Sequence, residues 1–306
     1  MNRAFIFPGQ GSQAVGMGKD LANNFTVAKK VFQLVDDELG QNLSSMIFEG
    51  PIEDLTMTEN TQPALMAVSM AFLEVIKKQT GKNINELCDI VAGHSLGEYT
   101  ALCAAGAISI ADAAKILRIR GKAMQDACPK GEGAMAAVLG MDIEQVEAIV
   151  AEANEHGACD VANDNNATQI VISGSVAAID FASAKVAELG GRAIKLNVSA
   201  PFHSRLIKSA EDVMRKALDE IEWHVPLVPV LANVTVDPTT DIAQIKDNLV
   251  RQVSGRVRWR ETMEFFVANG VQELVEIGSG KVLTGMLRKV EHPFVLRNIG
   301  NIEELD

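Results

Sequence analysis

Apolar and polar positions fall into two textures along this chain. Arg3-Ala4-Phe5-Ile6-Phe7 is an apolar run of strand length, and Pro8-Gly9-Gln10-Gly11-Ser12-Gln13 is a glycine-rich turn at its carboxyl end. Helical spacing follows over Phe25 to Leu39 and Thr61 to Lys78. The run Ile90-Val91-Ala92 predicts a second buried strand, and alanine-rich helices are expected over Gly97 to Ala105 and Ile110 to Ala127. Strands alternating with helices predict a largely parallel sheet, and such sheets carry their sites at the carboxyl ends of the strands.

From Cys128 the texture changes. Pro129-Lys130-Gly131-Glu132-Gly133 reads as a loop, Ala134 to Leu139 as a strand and Asp142 to Glu155 as a helix. Strand-like Cys159 to Asn163 and Gln169 to Ser173 flank the turn-rich Asp164-Asn165-Asn166-Ala167. A helix over Val176 to Leu189 and a strand over Ala193 to Val198 follow. The order β-α-β-β-α-β is a ferredoxin-like signature, so residues 128–198 are expected to form a small domain inserted in a larger one built from 1–127 and 199–306. Helices over Ser204 to Glu220, Ile242 to Gln252 and Arg260 to Asn269 resume the large domain, with a short strand at Val228 to Leu231 and a last one at Glu273 to Ile277. The expected class is α/β, the large domain being α/β-hydrolase-like around a parallel sheet.

Composition excludes several roles. The 306 residues are 47% hydrophobic, enough for a sizeable core. No run of about 18 apolar residues is free of charge and Met1 to Pro8 has no long apolar segment, so a cytoplasmic protein with no membrane partner is expected. A net charge of −12 disfavours nucleic acid, which needs concentrated Lys and Arg. Cys88, Cys103, Cys128 and Cys159 are widely separated and match no zinc spacing; they are expected to be reduced core thiols, with no metal bound.

The chemistry concentrates at Gly93-His94-Ser95-Leu96-Gly97, a Gly-x-Ser-x-Gly placed straight after a strand and before a helix. That spacing is a nucleophile elbow, in which the glycines allow a sharp turn and the serine Oγ stands above the sheet. The Leu96 N–H and the start of the following helix both favour a developing oxyanion there. A serine needs a base. His203, in the proline-containing loop Ala200-Pro201-Phe202-His203-Ser204, is the first choice, whereas His156 and His292 read as surface residues and His94 as a support of the elbow. Taken alone, Arg120 reads as part of a solvated helix face and Gln252 carries no signal.

Five segments together carry a family resemblance: Phe7 to Gln13, Gly93 to Tyr99, Arg118 to Gln125, Ala200 to Ser204 and Gly278 to Leu283. In that order they resemble the malonyl-CoA:acyl carrier protein transacylases of type II fatty acid synthesis, over nearly the whole chain. The resemblance implies that Ser95 is acylated by malonyl-CoA in a ping-pong transfer and that His203 is its base. It implies that the N–H groups of Gln10 and Leu96 form the oxyanion hole and that Arg120 binds the malonyl carboxylate. Gln252 would orient His203 through its main-chain carbonyl, giving a Ser-His dyad without an acid. Phe202, before the base, goes with malonyl rather than a bulkier acyl group. Asp164 to Thr168 departs from the family pattern, and Asn165 is carried as a substrate-pocket residue. No cofactor is implied, coenzyme A and phosphopantetheine thioesters being substrates, and a monomer is expected. The carrier protein is acidic in this family, so a local basic surface is expected to receive it, from among Arg205, Lys208, Arg251, Arg256, Arg258 and Arg260. Two rivals remain: a serine esterase or thioesterase, and a free-standing acyltransferase serving a polyketide synthase.

Overall fold

Among the described residues of the computed structural model, 1–198, 200–288 and 291–305, ten strands form two sheets. In chain order they are β1 (Arg3–Phe7), β2 (Ile90–Gly93), β3 (Gly133–Leu139), β4 (Cys159–Asn166), β5 (Gln169–Ser175), β6 (Arg192–Lys195), β7 (Val230–Leu231), β8 (Pro238–Thr239), β9 (Glu273–Ile277) and β10 (Val295–Ile299). The larger sheet runs β10-β9-β1-β2-β7-β8 and is parallel except for β8. Its central strands are buried on both faces, hence their unbroken apolar runs. Phe7 pairs with Gly93 at the carboxyl ends of β1 and β2, so the glycine-rich turn and the elbow emerge side by side. The helix Thr58–Thr80, buried along most of its length, packs against the helices Thr26–Leu39 and Ile110–Asp126 over one face of this sheet.

The smaller sheet is antiparallel, in the order β4-β5-β3-β6, with the helices Ile143–Ala153 and Val176–Glu188 packed on it around their own apolar cluster. β4 also meets the other body: Asp164 N–H donates to the Val257 carbonyl, Val257 N–H to that of Ala162, and the Asp164 carboxylate accepts from Arg260. Among the described residues no helix is long and apolar enough to cross a membrane.

Several boundaries differ from the sequence reading. β4 continues through Asn166, leaving only Ala167 and Thr168 as the turn; two register shifts in its pairing with β5 let the polar Asp164-Asn165-Asn166 stay in the ladder while their side chains bond elsewhere. The helix expected from Ser204 begins as a 3₁₀ turn, Arg205–Ile207, and becomes α-helical only over Ser209–Asp219. β10 follows the strand expected to be last; it is a half-exposed edge whose sequence, Val-Leu-Arg-Asn-Ile, has no apolar run. Ser199, where the expected domain boundary falls, lies outside the described residues.

Candidate active site

Ser95 sits in the turn between β2 and the helix Leu96–Ala104 with φ 54° and ψ −108°, a left-handed backbone that serine adopts only under constraint. Two clashes waiting to happen supply that constraint. A Cβ on Gly93 would fall on the carbonyl of Gly97, and one on Gly97 would fall on the carbonyl of Phe7, so helix, elbow and β1 approach each other with only glycine at the contacts. Asn233 then clamps the turn: its Oδ1 accepts from the Ser95 N–H at 2.8 Å and its Nδ2 donates to the Gly93 carbonyl at 2.8 Å.

His203 Nε2 lies 2.8 Å from Ser95 Oγ. Its Nδ1 faces two main-chain carbonyls, Gln252 O at 2.9 Å and Gly255 O at 3.1 Å, which only accept. The proton therefore sits on Nδ1, and the Nε2 lone pair is directed at the serine hydroxyl. Burial, then the nearby Arg120 charge and His94, push the His203 pKa down to about 3, so the ring is neutral near pH 7. No carboxylate hydrogen-bonds to this histidine among the described residues.

Arg120 is 1% exposed, which corrects its reading as a solvated residue. Its guanidinium donates to Gln62 Oε1 at 2.9 Å, Gln252 Oε1 at 2.8 Å and Ser95 Oγ at 3.0 Å, and lies over the Tyr99 ring 5.2 Å from its centroid. Among the described residues no carboxylate pairs with it. Glu98 reaches this buried cation only through the Gln252 amide, so among the described residues the guanidinium has no carboxylate bonded to it and an incoming one can claim it bidentately.

The N–H groups of Gln10 and Leu96 have no protein acceptor among the described residues, and both residues line a cavity of about 340 Å³ that contains Ser95, Arg120 and His203. The Gln10 loop is held by Ser12 Oγ on the Gly9 carbonyl at 2.9 Å and by Ser279 Oγ on the Ser12 carbonyl at 2.7 Å. The segment Gly278 to Leu283 thus acts at a distance, its Ser279 bracing the loop that carries the Gln10 N–H. Phe202, Met124, Met135 and Asn163 also line the cavity.

Asn165 stands elsewhere. Its Oδ1 bonds to His94 Nε2 at 2.9 Å, while the His94 ring packs edge-on against Trp259; the β4 residue that faces the cavity is Asn163. Gln252 does more than the sequence suggested: besides its carbonyl on His203, its Nε2 donates to the Ser95 carbonyl at 2.9 Å and to Glu98 Oε2 at 2.7 Å. Gln62, Glu98 and Asn233 escaped the sequence reading; only Glu98, inside the matched segment Gly93 to Tyr99, left a trace there.

The basic residues divide. Arg258 is tied to Glu261 and to the carbonyls of Val234 and Thr235, and Arg260 to Asp164, and neither lines the groove beside His203. Arg205, Lys208, Arg251 and Arg256 share one groove that reaches His203, with Asp160 and Glu211 also in its wall; Arg205 pairs with Asp160, Arg251 with Asp247 and Arg256 with Glu147.

An acyl transferase domain model matches residues 4–293. The malonyl CoA-acyl carrier protein transacylase of Bacillus subtilis is 46% identical over 289 residues, 94% of this chain and 90% of that protein. The crystal structure of an acyl-carrier-protein-S-malonyltransferase from Bartonella henselae superposes with TM-score 0.97 at 52% identity, covering 100% of this chain and 97% of that one. A solved type II PKS acyl-carrier protein in complex with its malonyl-transacylase matches with TM-score 0.95 at 38% identity, covering 100% and 98%. With these matches spanning nearly its full length, and with a serine, a histidine and a buried arginine converging on one cavity, the chain belongs to the malonyl-CoA:acyl carrier protein transacylase family.

Proposed function

We propose that this protein transfers malonyl from malonyl-CoA to the phosphopantetheine thiol of acyl carrier protein, through an ester on Ser95. The observation that carries the reading is Arg120 Nη2 at 3.0 Å from Ser95 Oγ, which sets a carboxylate receptor beside the nucleophile. His203 takes the Ser95 proton at Nε2 as Oγ attacks the thioester carbonyl, and the oxyanion accepts from the Gln10 and Leu96 N–H groups. On collapse the carbon–sulfur bond breaks, and the coenzyme A thiolate receives the proton from His203. In the second half-reaction His203 takes the proton of the carrier thiol, whose sulfur attacks the ester; Ser95 regains its proton as the thioester forms. The Gln252 and Gly255 carbonyls stabilise the imidazolium in place of an acid.

The carrier protein docks at the groove of Arg205, Lys208, Arg251 and Arg256. Residues 128–198 act as an inserted ferredoxin-like domain against an α/β-hydrolase-like one, with the cavity between them. Asn165 supports the acyl site through His94. No cofactor takes part, and the enzyme works as a cytoplasmic monomer. Service to fatty acid synthesis is the first reading; the relative solved with a type II PKS acyl-carrier protein keeps polyketide synthesis as the second.

Incubation with malonyl-CoA, acetyl-CoA and methylmalonyl-CoA plus phosphopantetheinylated carrier protein, followed by intact-mass analysis, tests the reading. Malonylated carrier protein is expected. Release of free malonate with the carrier unmodified would overturn the reading in favour of an esterase.

A further inference from the structure

Beneath the nucleophile lies a carboxyl group the reaction does not use. Glu98, in the first turn of the helix Leu96–Ala104, is 2% exposed and has no ion-pair partner among the described residues. Its Oε2 accepts from the Asn233 N–H at 3.0 Å and from Gln252 Nε2 at 2.7 Å. Gln252 is thereby fixed with its Nε2 toward Glu98 and its Oε1 on Arg120 at 2.8 Å. Asn233, whose backbone N–H binds Glu98, clamps Ser95 through its side chain. One carboxyl therefore sits a single amide away from the acyl-binding arginine and two bonds away from the nucleophile.

We propose that Glu98 is the positioning residue that sets the carboxylate selectivity of Arg120: it orients the Gln252 amide toward the guanidinium, and its own charge opposes a second carboxylate there, so malonyl binds best when Glu98 carries a proton. The inference rests on Arg120 being the malonyl anchor. Free of substrate, Arg120 and Glu98 are a cation and an anion joined through Gln252. A malonyl group on Arg120 adds a second anion, and in a buried site two anions beside one cation are relieved by protonating the weaker acid.

The groups around Glu98 leave it alone in the accessible range. Arg120, from the helix Ile110–Asp126, stays charged at any ordinary pH. Tyr99, on its own helix, is pushed up to about 12, and His203, from the loop before Arg205, down to about 3. His94, after β2, is lowered by burial. The helix Ile242–Gln252 and the loop after β7 present the amides of Gln252 and Asn233. Burial raises Glu98 itself to about 7, against the pull of Arg120 and of its two hydrogen bonds.

The experiment measures kcat/KM for malonyl-CoA and acetyl-CoA from pH 6 to 8.5. Titration of the coenzyme A phosphates, common to both, cancels in the ratio. The wild-type preference for malonyl should fall about tenfold with rising pH, the change that corresponds to a coupling of about one pKa unit between two like charges. Both hydrogen bonds fall on one oxygen of Glu98, so Glu98→Gln can keep them and remove the charge; its ratio should be flat across the range. A flat wild-type ratio, or the same fall in Glu98→Gln, overturns the proposal. Should that variant misfold, proton uptake by the wild type at pH 8 decides: uptake on malonyl loading in excess of acetyl loading supports the proposal, and equal uptake refutes it. Arg120→Ala in the same series separates the two layers. If it keeps the malonyl preference, the anchor assignment fails; if it loses the preference while Glu98→Gln titrates like wild type, only the role of Glu98 fails.

Discussion

His203 should stay a working base well below the pH at which a free imidazole is lost. With an ordinary pKa of about 6.5, some 97% of imidazoles would be protonated at pH 5 and acylation would fall about thirtyfold from its plateau. At about 3, His203 is about 1% protonated at the same pH. Single-turnover acylation of Ser95 at saturating malonyl-CoA, quenched and read by intact mass from pH 4.5 to 8, should vary by no more than about twofold. The same displacement acts on stability. Because the native-state pKa is the lower one, the unfolded chain binds the proton first, so stability is lost as pH falls from about 6.5 toward 3, at up to about 1.4 kcal/mol per pH unit. Glu98 runs the other way. Its native pKa of about 7 exceeds the 4.5 of a free side chain, so its contribution grows as pH falls from 7 to 4.5, and the two effects oppose each other between about 6.5 and 4.5. His203→Gln removes the first and leaves the second unopposed. Urea midpoints should show the variant gaining stability relative to wild type between pH 7 and 5; parallel curves, or an acylation profile titrating near 6.5, would refute the reasoning.

Three further outcomes are expected. Arg120→Lys keeps the charge but loses the fork that reaches Gln62 and Gln252, and should lower kcat/KM for malonyl-CoA by about 10- to 100-fold with acetyl-CoA far less affected, as steady-state kinetics would show. Asn233→Ala leaves the Ser95 N–H and the Gly93 carbonyl without their partner and should destabilise the fold by about 2–4 kcal/mol in urea titrations, with kcat reduced more than KM raised. The double charge reversal Lys208→Glu with Arg251→Glu should raise KM for carrier protein several-fold at low salt and weaken its salt dependence, while KM for malonyl-CoA stays within about twofold.

The sequence was legible where backbone geometry admits one residue type. Gly93 and Gly97 are written into the chain because any side chain there meets a carbonyl, so the elbow can be read without a structure. The antiparallel small sheet was legible for a related reason, since its strands and helices carry distinct periods in an unbroken stretch. Arg120 could be placed only by resemblance. Its neighbours Arg118 and Lys122 make the segment look solvated, yet burial is decided by the helix Thr58–Thr80, which brings Gln62 to it from 58 residues away. Asn233 and Glu98 are 135 residues apart and meet through one hydrogen bond, a relation that no local pattern encodes. The edge strand β10 was invisible because its five residues are mostly half-exposed and mixed in character.

The central claim is that malonyl rests on Ser95 between two half-reactions. Enzyme loaded with malonyl-CoA and then freed of all coenzyme A by rapid gel filtration should carry one malonyl group, located on the peptide containing Ser95, and should pass it to added phosphopantetheinylated carrier protein. Transfer that occurs only while coenzyme A thioester is still present, or an acyl group found on any residue other than Ser95, would contradict it.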